Sequence, residues 1–324
     1  MTEAIVIREY GRSDVLISER VEVGAPAMGE LRIRQTAIGV NFHDVYVRSG
    51  LYKTLALPGI PGCEAVGIVE DLGEGVEGFA LGDRIAYVTG GYGAYASERL
   101  LDADLALRVP DALPDQIVAT NLLRAMTVDM LISRVTLIKP GDTVPVQAAA
   151  GGVGSLLCQW SSHIGAEVIG TVGNEEKAQR ARAAGCSHTI LYRETDFVEA
   201  VRDLTHGRGV DVAYDSVGAD TFYGSLDTLK PMGHLVNFGQ SSGPVKPLEM
   251  PRLAARSLTV SRPILFHYLA DETTYGQMAA TVFEAFEKRS LSVEDVRKIP
   301  LEEAFRAHDI LEGRSGGGAL MLAP

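Results

Sequence analysis

"AAAGGVG", residues 148–154, is the stretch on which the fold turns. An apolar strand-like run, "DTVPVQAA", leads into it, and an amphipathic helical run, "GVGSLLCQWSSHIG", leaves it, with Val153, Leu156, Leu157 and Trp160 expected on one buried face. The spacing is G-x-G-x-x-G with Ala149 in the first glycine place, then Gly151 and Gly154. In such a turn the central glycine lets backbone approach a pyrophosphate, and the last lets helix and strand pack closely. The helix start at Gly152 and Val153 offers free N–H groups and a partial positive charge. A glycine run alone also fits an ordinary tight turn. The sequence downstream favours the phosphate cradle.

Downstream, strands and helices alternate: "AEVIGTV" then "NEEKAQRARAAG", stopped by Gly185; "HTILY" then "DFVEAVRDLT"; "VDVAYDSVG" then "DTFYGSLDTLK"; and "HLVNFG". Repeated β-α-β order demands parallel pairing with right-handed crossovers, hence a doubly wound α/β sheet that binds a dinucleotide. Upstream the texture differs. "EAIVIREYG", "ELRIRQTAIGV", "AVGIVEDLG", "DRIAYVTGG" and "YASERLL" are short β-type runs at close spacing, which predict a compact β-rich module, a partly closed barrel. Past residue 262 one longer helix, "TYGQMAATVFEAFEKR", and a last strand, "GGALMLAP", are expected to return to that module. The expected domains are therefore 1–118, completed by 262–324, around a dinucleotide-binding domain at 119–261.

Bulk properties narrow the partners. A formal charge of −12 opposes nucleic acid or an anionic membrane as partner, and no apolar run reaches the ~18 residues of a membrane span. The start, "MTEAIVIREYG", lacks the basic-then-apolar layout of a signal peptide. Three scattered cysteines, Cys63, Cys158 and Cys186, are too few for a disulfide framework and suit a reducing compartment, so a cytoplasmic location is expected.

The second strand of the dinucleotide domain ends in Val172, Gly173 and Asn174, without the acidic residue that usually holds the ribose of NAD. Lys177 and Tyr192 lie close by in sequence, and a cation with a phenol suits a 2′-phosphate; Glu175 and Glu176 oppose this, and a solvated surface lysine is the plain alternative. The expected cofactor is NADPH.

Taken together, "GVNFHDVYVRSGLY", "PGCEAVGIVEDLGEGVEGFALGDRIAY", "AAAGGVG", "GTVGNEEKAQRARAAG", "YDSVG" and "LVNFGQSSGP" resemble the quinone oxidoreductase branch, which includes zeta-crystallin, of the medium-chain dehydrogenase/reductase family. The resemblance spans nearly the whole chain. It implies a GroES-like β-rich catalytic domain with a Rossmann domain, NADPH, no zinc, and a homodimer. Zinc-dependent relatives carry a cysteine where this chain has Asn41 and a histidine where it has Cys63, and catalytic zinc needs three protein ligands. Glu64 would raise rather than lower the pKa of Cys63, so Cys63 is expected to be a small, half-buried packing residue.

The resemblance further implies that Asn41 and Tyr46 lie at the nicotinamide end, with Tyr46 donating a hydrogen bond to a substrate carbonyl; a core aromatic with an incidental hydroxyl partner is the competing reading. His43 is either a proton shuttle or structural. Matched positions imply cofactor contacts from Asn41, Thr127, Gly151, Gly152, Val153, Gly154, Gly173, Lys177, Tyr192, Val217, Phe238, Gly239, Ser241 and Leu265. Three departures stand out, of which Ala149 in the first glycine place, common in this branch, is the slightest. Arg124 and Ala125 replace a usual glutamine and glycine, and Gly318 stands where relatives carry lysine. Arg124 either binds a carboxylate or a carrier phosphate, or points outward into a salt bridge. The implied activity is hydride transfer from NADPH to a small quinone or enone. A 2-enoyl thioester reductase, and a non-catalytic crystallin-like or RNA-binding relative, are the alternatives.

Overall fold

The computed structural model describes residues 1–293, 296–313 and 318–324. It divides into two compact units, Met1–Leu123 with Leu269–Glu287 and Val293–Pro324, and Arg124–Tyr268 with Lys288–Ser292. The boundaries fall at 123/124 and 268/269, inside the helices Asp115–Asp129 and Leu265–Leu269, whereas the sequence pattern places them at 118/119 and 261/262.

The first unit begins with β1 (Thr2–Val6) and β2 (Ile17–Val21), an antiparallel pair. Then come β3 (Glu30–Gly39), α1 (Phe42–Arg48), β4 (Glu64–Leu72), β5 (Arg84–Val88), β6 (Glu98–Asp102), β7 (Leu107–Arg108) and α2 (Asp115–Asp129). Strand β3 shows the period-2 logic of a half-buried strand: Leu31, Ile33 and Gln35 are buried, while Arg32 and Arg34 point out and pair with Glu98 and Glu70. It is antiparallel to both β4 and β6.

The second unit alternates β8 (Thr143–Val146), α3 (Gly152–Ile164), β9 (Glu167–Val172), α4 (Glu175–Ala183), β10 (His188–Leu191), α5 (Phe197–Leu204), β11 (Val210–Asp215), α6 (Phe222–Asp227), β12 (Leu229–Asn237), α7 (Met250–Ala254), β13 (Thr259–Ser261) and α8 (Leu265–Leu269). Its six strands are parallel in the order β10-β9-β8-β11-β12-β13, the doubly wound order with its switch between β8 and β11. Ile169, Ile190, Val201, Ala213, Phe222, Leu226 and Leu235 close its core. One face was misjudged from sequence. Helix α3 buries Gly154, Leu156, Leu157, Cys158 and Ser161, while Val153 and Trp160 are only half-buried. Gly154 brings the helix close to the strand, and small Cys158 and Ser161 join Leu156 and Leu157 on the buried face in place of Val153 and Trp160.

The chain then returns to the first unit with α9 (Glu272–Glu287), β14 (Val296–Pro300), α10 (Ala304–Glu312) and β15 (Ala319–Ala323). Strand β15 pairs antiparallel with β3 and parallel with β14. Neither β14 nor α10 was expected from the sequence. Of "GRSGGG", residues 314–317 lie outside the described residues; Gly318 opens the last strand at φ +88°.

Candidate functional site

In the first unit the site is built on α1. Asn41 caps it, and the Asp44 carboxylate accepts the Asn41 backbone N–H at 2.8 Å, so the helix begins where the sequence "VNFHD" provides both halves of a capping box. Ser49 and Gly50, at φ +79°, end it. From its side chain Asn41 donates Nδ2 to Glu64 Oε1 at 2.7 Å; the other oxygen of Glu64 accepts Leu123 N–H at 2.7 Å. Both side chains are buried, Glu64 completely. Gly39 makes room for this carboxylate, since a Cβ there would stand 2.5 Å from Glu64 Oε1 and 2.1 Å from the Ala119 carbonyl oxygen.

A second buried group steadies the same helix. Tyr95 lies within hydrogen-bond distance of both Asp44 Oδ2, at 3.2 Å, and His308 Nε2, at 3.1 Å. Arg48, 1% exposed, makes a bidentate pair with Glu312 at 2.9 and 3.0 Å. Helix α10, carrying His308 and Glu312, thus fixes α1 at both ends. Burial, aided by the charge of Arg48, pushes the His308 pKa down to about 3, so its imidazole is neutral.

Tyr46 is half-buried and meets Phe42 and Tyr52 edge-on, at centroid distances of 5.2 and 5.0 Å. His43 stacks on Tyr92 and its pKa is lowered to about 4 by burial. The Tyr92 hydroxyl shares a 2.5 Å hydrogen bond with Thr54. The result is an aromatic lining of Phe42, His43, Tyr46, Tyr52 and Tyr92. Cys63 is wholly buried rather than half-buried. Its thiol is pushed well up, by burial first and then by Asp44 and Glu64, which suits packing and not attack. Among the described residues no group of three or more His, Cys, Asp or Glu could hold a metal ion.

In the second unit, loops at the carboxyl ends of the strands form the cradle. Gly151 precedes α3, and Gly152 and Val153 open it. A Cβ at Gly154 would lie 2.3 Å from the Ala148 carbonyl oxygen, so this glycine is sterically required. Ala149, in the first glycine place, is fully buried; its methyl fits because Gly170 faces it, where an added Cβ would stand 2.7 Å from it. Arg124, 6% exposed, is directed inward: its guanidinium lies 3.0 Å from a Cβ placed on Gly152. This removes the outward-pointing reading.

Asp215 organises the next loop. Its Oδ1 accepts Val217 and Gly218 N–H at 2.8 and 3.0 Å, and both oxygens accept from Thr221. Burial nevertheless raises its pKa. The Phe238 N–H donates to the Asp215 carbonyl and the Ser241 N–H to that of Ser216, while Gly239 passes within 2.4 Å (from its would-be Cβ) of the Ser216 oxygen. Arg262, which sequence reasoning did not single out, donates to the carbonyls of Asn237 and Gly239 at 3.1 Å. The structure thus brings Val217, Phe238, Gly239 and Ser241 together. Thr127 lies half-buried on α2, and Leu265, buried, begins α8.

At the end of β9 the Tyr192 hydroxyl stands 2.9 Å from a Cβ placed on Gly173, and Arg193 Nε 3.6 Å from it. Lys177 occupies the first turn of α4, its backbone N–H capped by the Asn174 side chain at 2.9 Å. Arg193 was missed, although "LYRE" places it beside Tyr192; its position over Gly173 comes from the turn after β10, which periodicity does not specify.

The β-rich first unit and the Rossmann-ordered second unit correspond to two family models: the alcohol dehydrogenase GroES-like domain over residues 27–111 and the zinc-binding dehydrogenase over residues 152–284. Together these domains define a medium-chain dehydrogenase/reductase architecture. The chain is 41% identical to a 2-haloacrylate reductase of Burkholderia sp, covering 100% of this chain and 99% of that one. It is 39% identical to quinone oxidoreductase 1 of Escherichia coli (strain K12), covering 100% of both. The crystal structure of an Escherichia coli quinone oxidoreductase complexed with NADPH superposes with a TM-score of 0.96 at 39% identity, over 99% of this chain and 100% of that one. The chain belongs to the quinone oxidoreductase branch of the medium-chain dehydrogenase/reductase family.

Proposed function

We propose that the protein is an NADPH-dependent reductase that transfers hydride to quinones or α,β-unsaturated carbonyl compounds without a catalytic zinc ion. The observation that carries this reading is the pairing of Asn41 with Glu64: the carboxylate that a metal would need is occupied by an amide and a backbone N–H. Full-length relatives that reduce quinones or 2-haloacrylate support the acceptor class. NADPH when bound supplies the hydride, and the protein's part is placement and electrostatics.

Gly151, Gly152, Val153 and Gly154 would hold the pyrophosphate. Gly173, Lys177 and Tyr192, with Arg193, would hold the 2′-phosphate. Val217, Phe238, Gly239, Ser241, Thr127 and Leu265 would line the rest of the cofactor's path. Tyr46 would donate to the acceptor carbonyl as negative charge develops there, and Asn41 would orient the nicotinamide end. The aromatic lining around Tyr46 suits a flat, electron-poor ring. A cytoplasmic homodimer acting on a small molecule, with neither nucleic acid nor membrane as partner, completes the proposal; among the described residues no helix is long and apolar enough to cross a membrane.

A second acceptor class is favoured by one observation. A relative 41% identical over the full length is a 2-haloacrylate reductase, whose acceptor carries a carboxylate. The buried Arg124 guanidinium, lying against Gly152, would instead face the pyrophosphate. The test follows NADPH absorbance with a benzoquinone, a neutral enone, 2-chloroacrylate and a crotonyl thioester, each repeated with NADH and with a chelator. Chelator-insensitive turnover of the quinone or enone with NADPH preferred is expected. Turnover of the thioester alone, or loss of turnover on chelation, would overturn the proposal.

A further inference from the structure

Two of the three cysteines, 28 positions apart in sequence, meet in the second unit: Cys186 Sγ lies 3.4 Å from Cys158 Sγ. Cys158 sits on the innermost face of α3, and Cys186 in the turn between α4 and β10. The approach is built in. Gly185, at φ +94°, lets that turn press against α3, for a Cβ there would be 2.7 Å from Ser162 Cβ. The backbone N–H of Cys186 is tied to Ala181, and that of Ser187 to Val168, so the turn is anchored on both sides. The pair also touches the cradle: Cys158 Sγ lies 4.0 Å from the Ala149 carbonyl oxygen, and Cys186 Sγ packs over Gly170, the residue that faces the Ala149 methyl.

We propose that Cys158 and Cys186 form a modification site which hydrogen peroxide converts to a disulfide, and that this disulfide weakens binding of the pyridine dinucleotide. The disulfide part stands on the thiol geometry alone, whereas the cofactor part rests on the proposed binding of NADPH. Of the two thiols Cys186 is the better nucleophile. It is the one reached by solvent, at 7% exposure, and the hydrogen bond between the sulfurs lowers its pKa while that of the wholly buried Cys158 is held up.

The Cys186 thiolate attacks one peroxide oxygen; the O–O bond breaks, the thiolate is oxidised to a sulfenic acid and the other oxygen leaves as hydroxide. Cys158 then loses its proton to that hydroxide and attacks the Cys186 sulfur. The S–S bond forms, the S–O bond breaks, and the departing hydroxide is protonated to water. Overall two thiols and one peroxide give one disulfide and two waters. Closing 3.4 Å to a bond of roughly 2 Å shifts sulfurs that pack against Ala149 and Gly170, and it removes the Cys158 S–H that points to the Ala149 carbonyl, at the base of the turn that receives the phosphates.

The test treats the intact protein with hydrogen peroxide, then counts thiols after denaturation, maps tryptic peptides without reduction, and titrates NADPH. Expected are a fall from three thiols to one, a peptide ending at Lys177 joined to one ending at Arg193, a several-fold rise in the NADPH dissociation constant, and reversal of all three by dithiothreitol. Cys186→Ser should keep both remaining thiols and an unchanged dissociation constant under the same treatment; the wild-type peptide map decides the linkage should that variant not fold. Three surviving thiols, a linkage to Cys63, sulfinic acid in place of a disulfide, or a disulfide without change in affinity would each overturn the proposal. Absence of NADPH binding by the reduced protein would instead count against the functional reading, with the peptide map still deciding the thiol pair.

Discussion

The Asn41 carboxamide donates to the fully buried carboxylate of Glu64 at 2.7 Å, and Leu123 N–H fills the other oxygen of that carboxylate. One side chain therefore joins the cap of α1, the start of β4 and the middle of α2. Glu64→Ala removes the shared acceptor of both hydrogen bonds, and each hydrogen bond to a charged group contributes about 1.5–3 kcal/mol. The expected result is a loss of ~3 kcal/mol in urea unfolding, together with a fall in kcat/KM because Asn41 is no longer oriented. Glu64→Gln should recover part of the stability, since its carbonyl oxygen still accepts one of the two bonds. A variant as stable and active as wild type would dismiss this role.

The cofactor's 2′-phosphate is the subject of a second expectation. Tyr192 and Arg193 converge on Gly173, and Lys177 stands on the neighbouring helix. Arg193→Ala and Lys177→Ala should each raise the NADPH dissociation constant about tenfold, the effect of one charge-assisted bond worth ~1.4 kcal/mol, and leave that for NADH nearly unchanged. Gly173→Ala, which would push against the Tyr192 hydroxyl at 2.9 Å, should weaken both cofactors. Equal losses for NADPH and NADH in the Arg193 variant would remove the phosphate assignment.

Acid stability follows from the buried imidazoles. The His308 pKa is lowered from 6.5 to about 3 and that of His43 to about 4, so between those values and 6.5 the unfolded chain binds more protons than the folded one. The contribution of these two imidazoles to stability therefore rises with pH across that window and falls as pH drops below about 6.5, opposed at the acid end by the raised carboxyls of Asp215 and Asp129. His308 faces Tyr95 and lies under the field of Arg48, so protonation there meets a positive neighbour. His308→Gln should flatten the pH dependence of urea unfolding between pH 6.5 and 4, even if it lowers stability at pH 7. A slope unchanged from wild type would exclude His308 as its source.

How much of this the sequence carried depends on the range of the interaction. The cradle at 148–154 and the β-α alternation behind it are local patterns, and β8 to β12 with the helices between them stand where periodicity put them, whereas α7 was not expected. The Asp44–Tyr95–His308 cluster joins positions from three distant segments, and nothing local in "AHDI" shows that His308 will be buried against Tyr95. On α3, Leu156 and Leu157 are buried as hydrophobicity predicts, but close approach at Gly154 puts Cys158 and Ser161 beside them where Val153 and Trp160 were expected. Arg124 was legible as a departure, while its inward direction required the packing of α2 beside Gly152.

The Tyr46 hydroxyl is the remaining chemical question, and its neighbours set the terms. Phe42 and Tyr52 fix the ring edge-on, so Tyr46→Phe should keep the aromatic packing and remove only the hydroxyl. An enone needs a donor at its oxygen as the enolate forms, and loss of one such donor costs about 10²-fold or more in kcat. A quinone yields a far more stable anion, which can take its proton from water. The variant should therefore lose about 10²-fold in kcat toward an enone and less than about tenfold toward a benzoquinone, with NADPH affinity unchanged. His43, neutral above about pH 4, should leave both pH profiles flat between pH 5 and 8. Equal losses for the two acceptors would make Tyr46 a positioning residue for the ring, and no loss for either would leave proton delivery to water alone.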